Sequence, residues 1–541
     1  MRSELIRTYK SLHTWTGIVA GMALFIAFYA GALTVFKEPL SRWATPPGIH
    51  GAAVPLGDAP ALIAATLAAR PATADRFRLD LVDEGTGAGG VRLSWDEAGD
   101  IADDHDRSND RHFSATLAPD GSVRVAEQRP AKLAEFLDVL HRVVGLPYDT
   151  DPNRWVMGVV AALYALALIS GVVVLLPTLA KDFFALRLGR NLKRMWLDAH
   201  NVIGIVSLPF HVIMALTATV FAFHDGLYAA QDTALYDGKI DALWRAGTPK
   251  PPRVAPDPAR LLAPAELVAR ARAAAPGFEP VALHYARVGK PGANMRVWGR
   301  APTDIARTPE GGFILMDPYT GRIGGTDYTP GLQPGSAATL TSFFALHFAS
   351  FGGPTVAWAY FVLGLAGAFL FYTGNLLWVE SRRRSERAGH GPVEQRRATR
   401  WMAAATVGVC LGCICAVSLA IAAAKGLHGV VADPGEWHRV VYYTVFLGAV
   451  AWSFVAGAAR AGVHLLWGAA IATAFIPALS LAAWLVPGTW WVSADTATLA
   501  VDLVAGGGAL AFAAMARRTG RRVAAGRSDS VWAASRPGMA A

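Results

Sequence analysis

Residues 11–36 read SLHTWTGIVAGMALFIAFYAGALTVF. The run contains no Asp, Glu, Lys or Arg, and about 20 apolar residues suffice to carry a helix across a hydrocarbon core of about 30 Å. It is too long for a removable signal peptide and lacks a small-residue cleavage site. The fold follows from it. Seven further runs of the same kind occupy Trp155–Ala180, Ala199–His224, Pro354–Val379, Trp401–Ala424, Val440–Ala459, Ala461–Val486 and Thr496–Ala516. The expectation is an α-helical integral membrane protein of about eight transmembrane helices. Composition agrees: the 541 residues are 53% hydrophobic and 17% charged, against about 25% charged in soluble proteins.

The net charge of +9 is a topology signal. Arg2, Arg7 and Lys10 precede span one; Lys181, Arg187, Arg190, Lys193 and Arg194 lie between spans two and three. Arg382, Arg383, Arg384, Arg387, Arg396, Arg397 and Arg400 separate spans four and five, and Arg517, Arg518, Arg521 and Arg522 follow span eight. Basic residues mark the cytoplasmic side, so both termini are expected there. The partner implied by this charge is the lipid bilayer and not nucleic acid. Three cysteines exclude a disulfide-built exodomain, and no Cys-x-x-Cys-His is present to attach a c-type haem.

This order divides the chain into span one (8–36), an outer segment (37–151), span two (152–180), span three (199–224), a second outer segment (225–339), an outer stretch with span four (340–379), a helical extension of spans five to eight (401–516) and a disordered cytoplasmic tail (523–541). The outer segments have soluble texture. Phe77–Val82 reads as a strand, Pro119-Asp-Gly121 and Asp317-Pro-Tyr-Thr-Gly321 as turns, and Leu261–Ala275 as a helix stopped by Pro276. Two small α+β periplasmic domains are expected.

The halves repeat. His13-Thr-Trp-Thr-Gly17-Ile-Val opens span one and His200-Asn-Val-Ile-Gly204-Ile-Val opens span three. Leu140-His141 with Gly145 and Pro147 precedes span two; Leu346-His347 with Gly352 and Pro354 precedes span four. Ser170-Gly171 and Thr373-Gly374 stand near the inner ends of spans two and four. Parallel repeats pack around an axis along the membrane normal, which places His13 with His200 in one leaflet and His141 with His347 in the other. Two imidazoles facing each other suit the axial positions of a b-type haem. Proton relay and interfacial hydrogen bonding remain alternatives; no Cys, Asp or Glu joins these pairs to complete a zinc set. His211 follows His200 by about three helical turns and is a candidate for a second haem, or for a supporting or proton-carrying role. Cys410, Cys413 and Cys415 read as small packing residues of span five. Asp502, inside the membrane zone, needs a partner that the sequence does not identify.

At these residues the chain resembles the PepSY-associated transmembrane family, iron-regulated membrane proteins that include bacterial inner-membrane ferric-siderophore reductases. The likeness rests on Leu12-His13-Thr-Trp-Thr-Gly17, Leu140-His141-Arg-Val-Val-Gly145, Leu208-Pro-Phe-His211-Val-Ile-Met-Ala-Leu-Thr217 and Leu346-His347, with PepSY-like outer segments clearest at Gly312–Gly321. It covers about residues 8–385, and spans five to eight lie beyond the four-helix core. The resemblance implies haem b, in two copies held by His13, His200, His141 and His347, delivering electrons to siderophore-bound iron on the periplasmic side. Arg142 and Tyr148 are expected near a propionate or the ligand. No Rossmann or flavin motif is present, so the electron donor is expected to be a separate cytoplasmic protein or the quinol pool. A siderophore or metal transporter and a non-catalytic PepSY-domain regulator of a periplasmic protease are the competing readings.

Overall fold

The structure, a computed structural model, describes residues 3–46, 53–82, 90–97, 110–180, 191–242, 255–386, 393–431, 434–486, 488, 490–491, 496–527 and 529–533. Arg2, Lys181, Arg187, Arg190, Arg387 and Asp495 lie outside the described residues. The chain divides into a helical unit (Met1–Pro46, Ala131–Ala222, Tyr360–Ala541) and a sheet unit (Pro47–Pro130, Phe223–Ala359).

Among the described residues, seven helices are long and apolar enough to cross a membrane. They are α1 (Ser3–Thr34), α5 (Asp151–Leu175), α7 (Leu208–Leu235), α10 (Gly353–Ser381), α11 (Arg397–Gly426), α12 (Pro434–Leu485) and α13 (Thr496–Ala524). Shorter helices are α2 (Lys37–Ala44), α3 (Ala59–Ala69), α4 (Leu133–Arg142), α6 (Leu192–Val206), α8 (Pro264–Ala274) and α9 (Gly335–Phe348).

Three of the expected spans differ from their sequence outline. The third is broken: α6 ends at Val206, capped by Ser207, and α7 begins at Leu208. Pro209 explains the break, because it has no N–H to donate back to Ile205 and its ring crowds that turn. His200 therefore sits on α6 and His211 on α7, not on one uninterrupted helix, and α7 runs on to Leu235 where a loop was expected. Spans six and seven merge into α12, whose 52 residues would reach about 78 Å as a straight helix. They do not run straight. Gly457 is non-helical (φ 76°, ψ 154°), and Trp452 meets His464 with ring centroids 5.8 Å apart, although twelve helical residues rise about 18 Å. On α11, Gly408 abuts Ser453 and Gly412 abuts Ala449, whereas Ser418 bonds Thr473 and Lys425 bonds Ser480. The first arm of α12 is thus antiparallel to α11 and the second parallel to it.

The partner of Asp502 is on α2. Trp43 donates its indole N–H to Asp502 at 2.9 Å, and Ser480 donates to the same oxygen at 3.0 Å. Lys425 lies 4.1 Å over the Trp43 ring and bonds Ser480 at 3.1 Å. Ionisable groups in lipid persist when partnered in this way. The three cysteines are buried, as packing residues would be: Cys415 contacts the Leu465 carbonyl and the Tyr442 hydroxyl contacts Cys413.

The tail expected to be disordered after Arg522 is ordered across 529–533. Asp529 is buried and ion-pairs with Arg383, and Trp532 donates to Glu380 at 2.6 Å. The low-complexity composition hid two residues that each satisfy a specific partner.

In the sheet unit the two outer segments do not form separate sheets. The strands are β1 (Val54–Pro55), β2 (Arg76–Val82), β3 (Gly90–Glu97), β4 (Arg111–Leu117), β5 (Val123–Gln128), β6 (Glu279–Ala286), β7 (Asn294–Arg300), β8 (Gly312–Met316) and β9 (Ile323–Gly325). They join in the order β5-β4-β3-β2-β6-β7-β8-β9, with β1 beside β3. Each segment contributes a helix followed by a four-strand meander, and the meanders meet at β2 and β6, with Leu79 opposite Leu283 and Phe77 opposite Tyr285. Two separate sheets would each leave their first strand as an open edge; pairing those edges removes both. Helices α3 and α8 cover one face, burying Leu62, Ile63, Leu267 and Val268 against Leu79, Leu283 and Val297. The turns are those read in the sequence: Gly121 (φ 79°) closes β4–β5, and Asp317 caps the Tyr319 and Thr320 amides before Gly321 (φ 68°).

His284, on the face opposite α3 and α8, is pushed down to about 4 by burial and by Arg78, Arg296 and Arg76. Its ordinary value is about 6.5, so below that pH the unfolded segment binds a proton that the folded sheet refuses. Sheet stability should fall as pH drops from about 6.5 toward about 4. Hydrogen-exchange protection of residues 279–286 should decrease over that window in the wild type and stay level in His284→Asn.

Candidate histidine centre

Within the helical unit, α1 packs on α5 and α10 through small residues. A Cβ on Gly364 would lie 2.9 Å from Ala32, and one on Gly367 would lie 2.5 Å from Phe28. Apolar side chains gain nothing by leaving lipid for a neighbouring helix, so such close approaches and interhelical hydrogen bonds hold a bundle together. The histidines supply those bonds.

His13 Nδ1 donates to the Ala167 carbonyl at 2.8 Å. His200 Nδ1 donates to the Leu370 carbonyl at 3.2 Å, with Thr373 Oγ1 at 3.4 Å. Ala167 and Leu370 are equivalent in the repeat, as are Ser170 and Thr373, and Gly171 and Gly374. Both glycines face the rings: a Cβ on Gly171 would fall 2.9 Å from His13 Cε1, and one on Gly374 3.4 Å from His200 Cε1. A carbonyl only accepts, so Nδ1 carries the proton in each ring and Nε2 keeps a lone pair. The ring centroids are 6.0 Å apart, with planes at 69°. Imidazole nitrogens stand about 2.0–2.1 Å from a bound metal, so two rings sharing one ion place their centroids roughly 6 Å apart. A backbone carbonyl on the far nitrogen is the usual outer support of a ligating histidine.

His141, at the end of α4, follows the same rule. Its Nδ1 donates to the Ala27 carbonyl of α1 at 2.8 Å, and a Cβ on Gly31 would lie 2.6 Å from that nitrogen. His347, its expected partner, is on α9 and belongs to the sheet unit. His211 is fully buried among Phe28, Phe210 and Phe371, with ring centroids 5.6, 5.7 and 6.2 Å away. Its Nδ1 is 2.5 Å from the Tyr164 hydroxyl, which also donates to the His211 carbonyl at 3.1 Å. Both bonds form together only if Nδ1 carries the proton, and Nε2 is then buried with no hydrogen-bond partner. Tyr164 escaped the sequence reading because its equivalent in the second half is Gly367, so the repeat gives no signal there.

Arg142 and Tyr148 each meet charged neighbours of the helical unit. Arg142 ion-pairs with Asp138 and with the fully buried Asp149, which also takes two bonds from Arg154 at 2.8 and 2.9 Å. Tyr148 lies under the Arg439 guanidinium at 5.0 Å. Both serve local structure. Among the described residues, no three His, Cys, Asp or Glu side chains are grouped to hold a metal ion; the His13/His200 pair offers two imidazole donors.

The repeat, the glycine-lined rings and their order along the chain coincide with one family description, PepSY-associated TM region, which matches residues 10–381. The chain belongs to this family. No curated protein matches it. The match covers all five candidate histidines and ends at the close of α10, so α11 to α13 lie beyond the family's region.

The glycines make a direct test possible. Gly171→Val and Gly31→Val should force the His13 and His141 rings off their carbonyls, with an overpacking penalty of about 1–3 kcal/mol. Gly17, on the same helix as Gly31, has nothing within 4 Å of a built Cβ, so Gly17→Ala should be neutral. Thermal unfolding in detergent, with all three variants side by side, checks this.

Proposed function

We propose that this membrane protein is a haem-dependent ferric-siderophore reductase of the bacterial inner membrane, passing electrons from the cytoplasmic side to siderophore-bound Fe(III) in the periplasm. The observation that carries the reading is the His13/His200 pair, with rings 6.0 Å apart and each Nδ1 held by a backbone carbonyl. The residues fit a bis-imidazole haem: the donors are neutral, their Nε2 lone pairs are available, and Gly171 and Gly374 keep the ring surroundings open.

His13 and His200 would hold one haem b, and the sequence repeat makes His141 and His347 the candidates for a second. Bound haem would supply one-electron Fe(III)/Fe(II) chemistry. The protein's part is orientation. Ala167, Leu370 and Ala27 fix the ring planes and the proton positions through their carbonyls. Tyr164 does the same for His211, whose bare Nε2 makes it the fifth candidate ligand. Phe28, Phe210 and Phe371 exclude water from the space beside it.

The substrate is siderophore-bound Fe(III), a hard cation that prefers oxygen ligands. One added electron yields Fe(II), which such cages hold less well, and iron is released. The donor would be a separate cytoplasmic protein or quinol. With α12 folded back at Gly457, eight crossings leave both termini on the same side, which the basic residues make cytoplasmic. The sheet unit would then be periplasmic.

Protein purified from haem-replete cells should show a sharp b-type α-band after dithionite reduction. His13→Ala and His200→Ala should remove the same part of it, and His141→Ala and His347→Ala the other part. A colourless preparation would rule out the haem reading.

A further inference from the structure

The sheet has a second face, opposite α3 and α8, whose composition nothing above explains. Residues directly opposite each other on neighbouring strands share a face. One row across the sheet reads Ser94, Arg78, His284, Arg296, Leu315, and the next reads Arg92, Asp80, Ala282, Trp298, Phe313. Arg76, Arg78 and Arg296 are exposed. Against them stands Asp80, bonded to Arg78 Nε at 2.5 Å, and Asp96 farther out, bonded to His112. Arginine thus outnumbers carboxylate at the centre of the face.

Aromatic rings are interleaved with this charge. The Arg296 guanidinium lies 5.1 Å over the Phe313 ring, Phe313 stacks on Tyr328 at 4.7 Å, and His284 stands 5.6 Å from Trp298. The Trp298 indole nitrogen has no hydrogen-bond partner. Arg78 and Arg296 flank His284 from the strands on either side, and beyond the Arg78–Asp80 pair and the Arg296–Phe313 contact their like charges repel each other. An anion placed between them removes the repulsion. Guanidinium groups meet anionic oxygens with paired N–H donors and accept aryl rings against their planes.

We propose that this face, centred on Arg78, His284, Arg296 and Trp298, is the docking site for the substrate, and that it takes an anionic, aryl-bearing ferric chelate of the tris-catecholate class. The proposal rests on the ferric-reductase reading for its choice of ligand. The charge favours a chelate of net negative charge over a neutral trihydroxamate, and the rings favour one that carries aryl groups. Because the arginines keep their charge at all ordinary pH values, docking should depend on ionic strength much more than on pH.

The test uses the full chain in phosphatidylcholine nanodiscs. The probes are the Fe(III) complex of a hexadentate tris-catechol ligand (charge −3) and that of a neutral hexadentate trihydroxamate, with binding measured by equilibrium dialysis of radioactive iron. The catecholate complex should bind about tenfold or more tightly than the neutral one. Arg78→Gln/Arg296→Gln should weaken it by about tenfold to a hundredfold, the scale of one to two charged hydrogen bonds, and flatten its salt dependence. Trp298→Phe should weaken it less. Equal affinity for the two chelates, or wild-type affinity in the double variant, would overturn the proposal. So would loss of catecholate binding when phosphatidylglycerol is added to the discs, which would assign the face to anionic lipid. The pigment separates the two claims: a normal α-band with no arginine-dependent binding defeats the docking site alone, whereas arginine-dependent binding by a colourless protein defeats the reductase reading and leaves the docking site standing.

Discussion

In lipid, apolar side chains have no reason to prefer a neighbouring helix to an acyl chain, so the bundle depends on what lipid cannot offer: hydrogen bonds to acceptors and close backbone approach. In this protein the same groups provide both. His13, His141 and His200 each donate from Nδ1 to a backbone carbonyl of a different helix, beside a glycine that lets the imidazole in. The bond fixes helix against helix and at the same time decides which ring nitrogen keeps its lone pair. Packing and the placing of the ring proton are therefore one constraint, and a glycine substitution would disturb both.

The duplicated halves use this constraint unequally. His13 and His200 have equivalent carbonyls and equivalent glycines. Past that level the symmetry stops, because Tyr164 occupies in one half the place that Gly367 occupies in the other. The tyrosine fills the space beside His211, sets its tautomer and leaves a buried nitrogen unsatisfied. A buried polar atom without a partner costs about 1–3 kcal/mol, and the aromatic surround offers His211 Nε2 no acceptor or donor to offset it. The extension beyond the family's region is fastened by a different device, Trp43 set between Lys425 and Asp502 with Ser480 bridging.

The sheet unit shows how a duplicated segment solves an edge problem. Each outer segment is a helix and a four-strand meander, and either one alone would expose its first strand. Antiparallel pairing of β2 with β6 closes both edges and creates a broad surface whose two faces have separate tasks. One carries the hydrophobic core with its two helices. The other is left to arginine and aromatic side chains.

Much of this was legible in the sequence, and the reason is periodicity and composition. Charge-free runs near 20 residues give helices wherever they occur, Pro264 starts a helix, and Asp317-Pro-Tyr-Thr-Gly321 makes a turn, because local chemistry suffices for each. The repeat marked His13, His200 and their glycines. The rest depended on groups far apart in the chain. Pro209 broke the third span although its neighbours read as continuous helix, and Gly457 folded two spans into one hairpin. The partners of Asp502 and Trp532 lie 459 and 152 residues away. No local pattern encodes the seam between β2 and β6, since any two strands with open edges and matched apolar faces would satisfy the same sequence. The sequence by itself determined that helices cross a membrane and which histidines recur. Tertiary structure decided which carbonyl each histidine meets, and so which nitrogen remains to bind, because that choice is made by atoms brought together only when the helices pack.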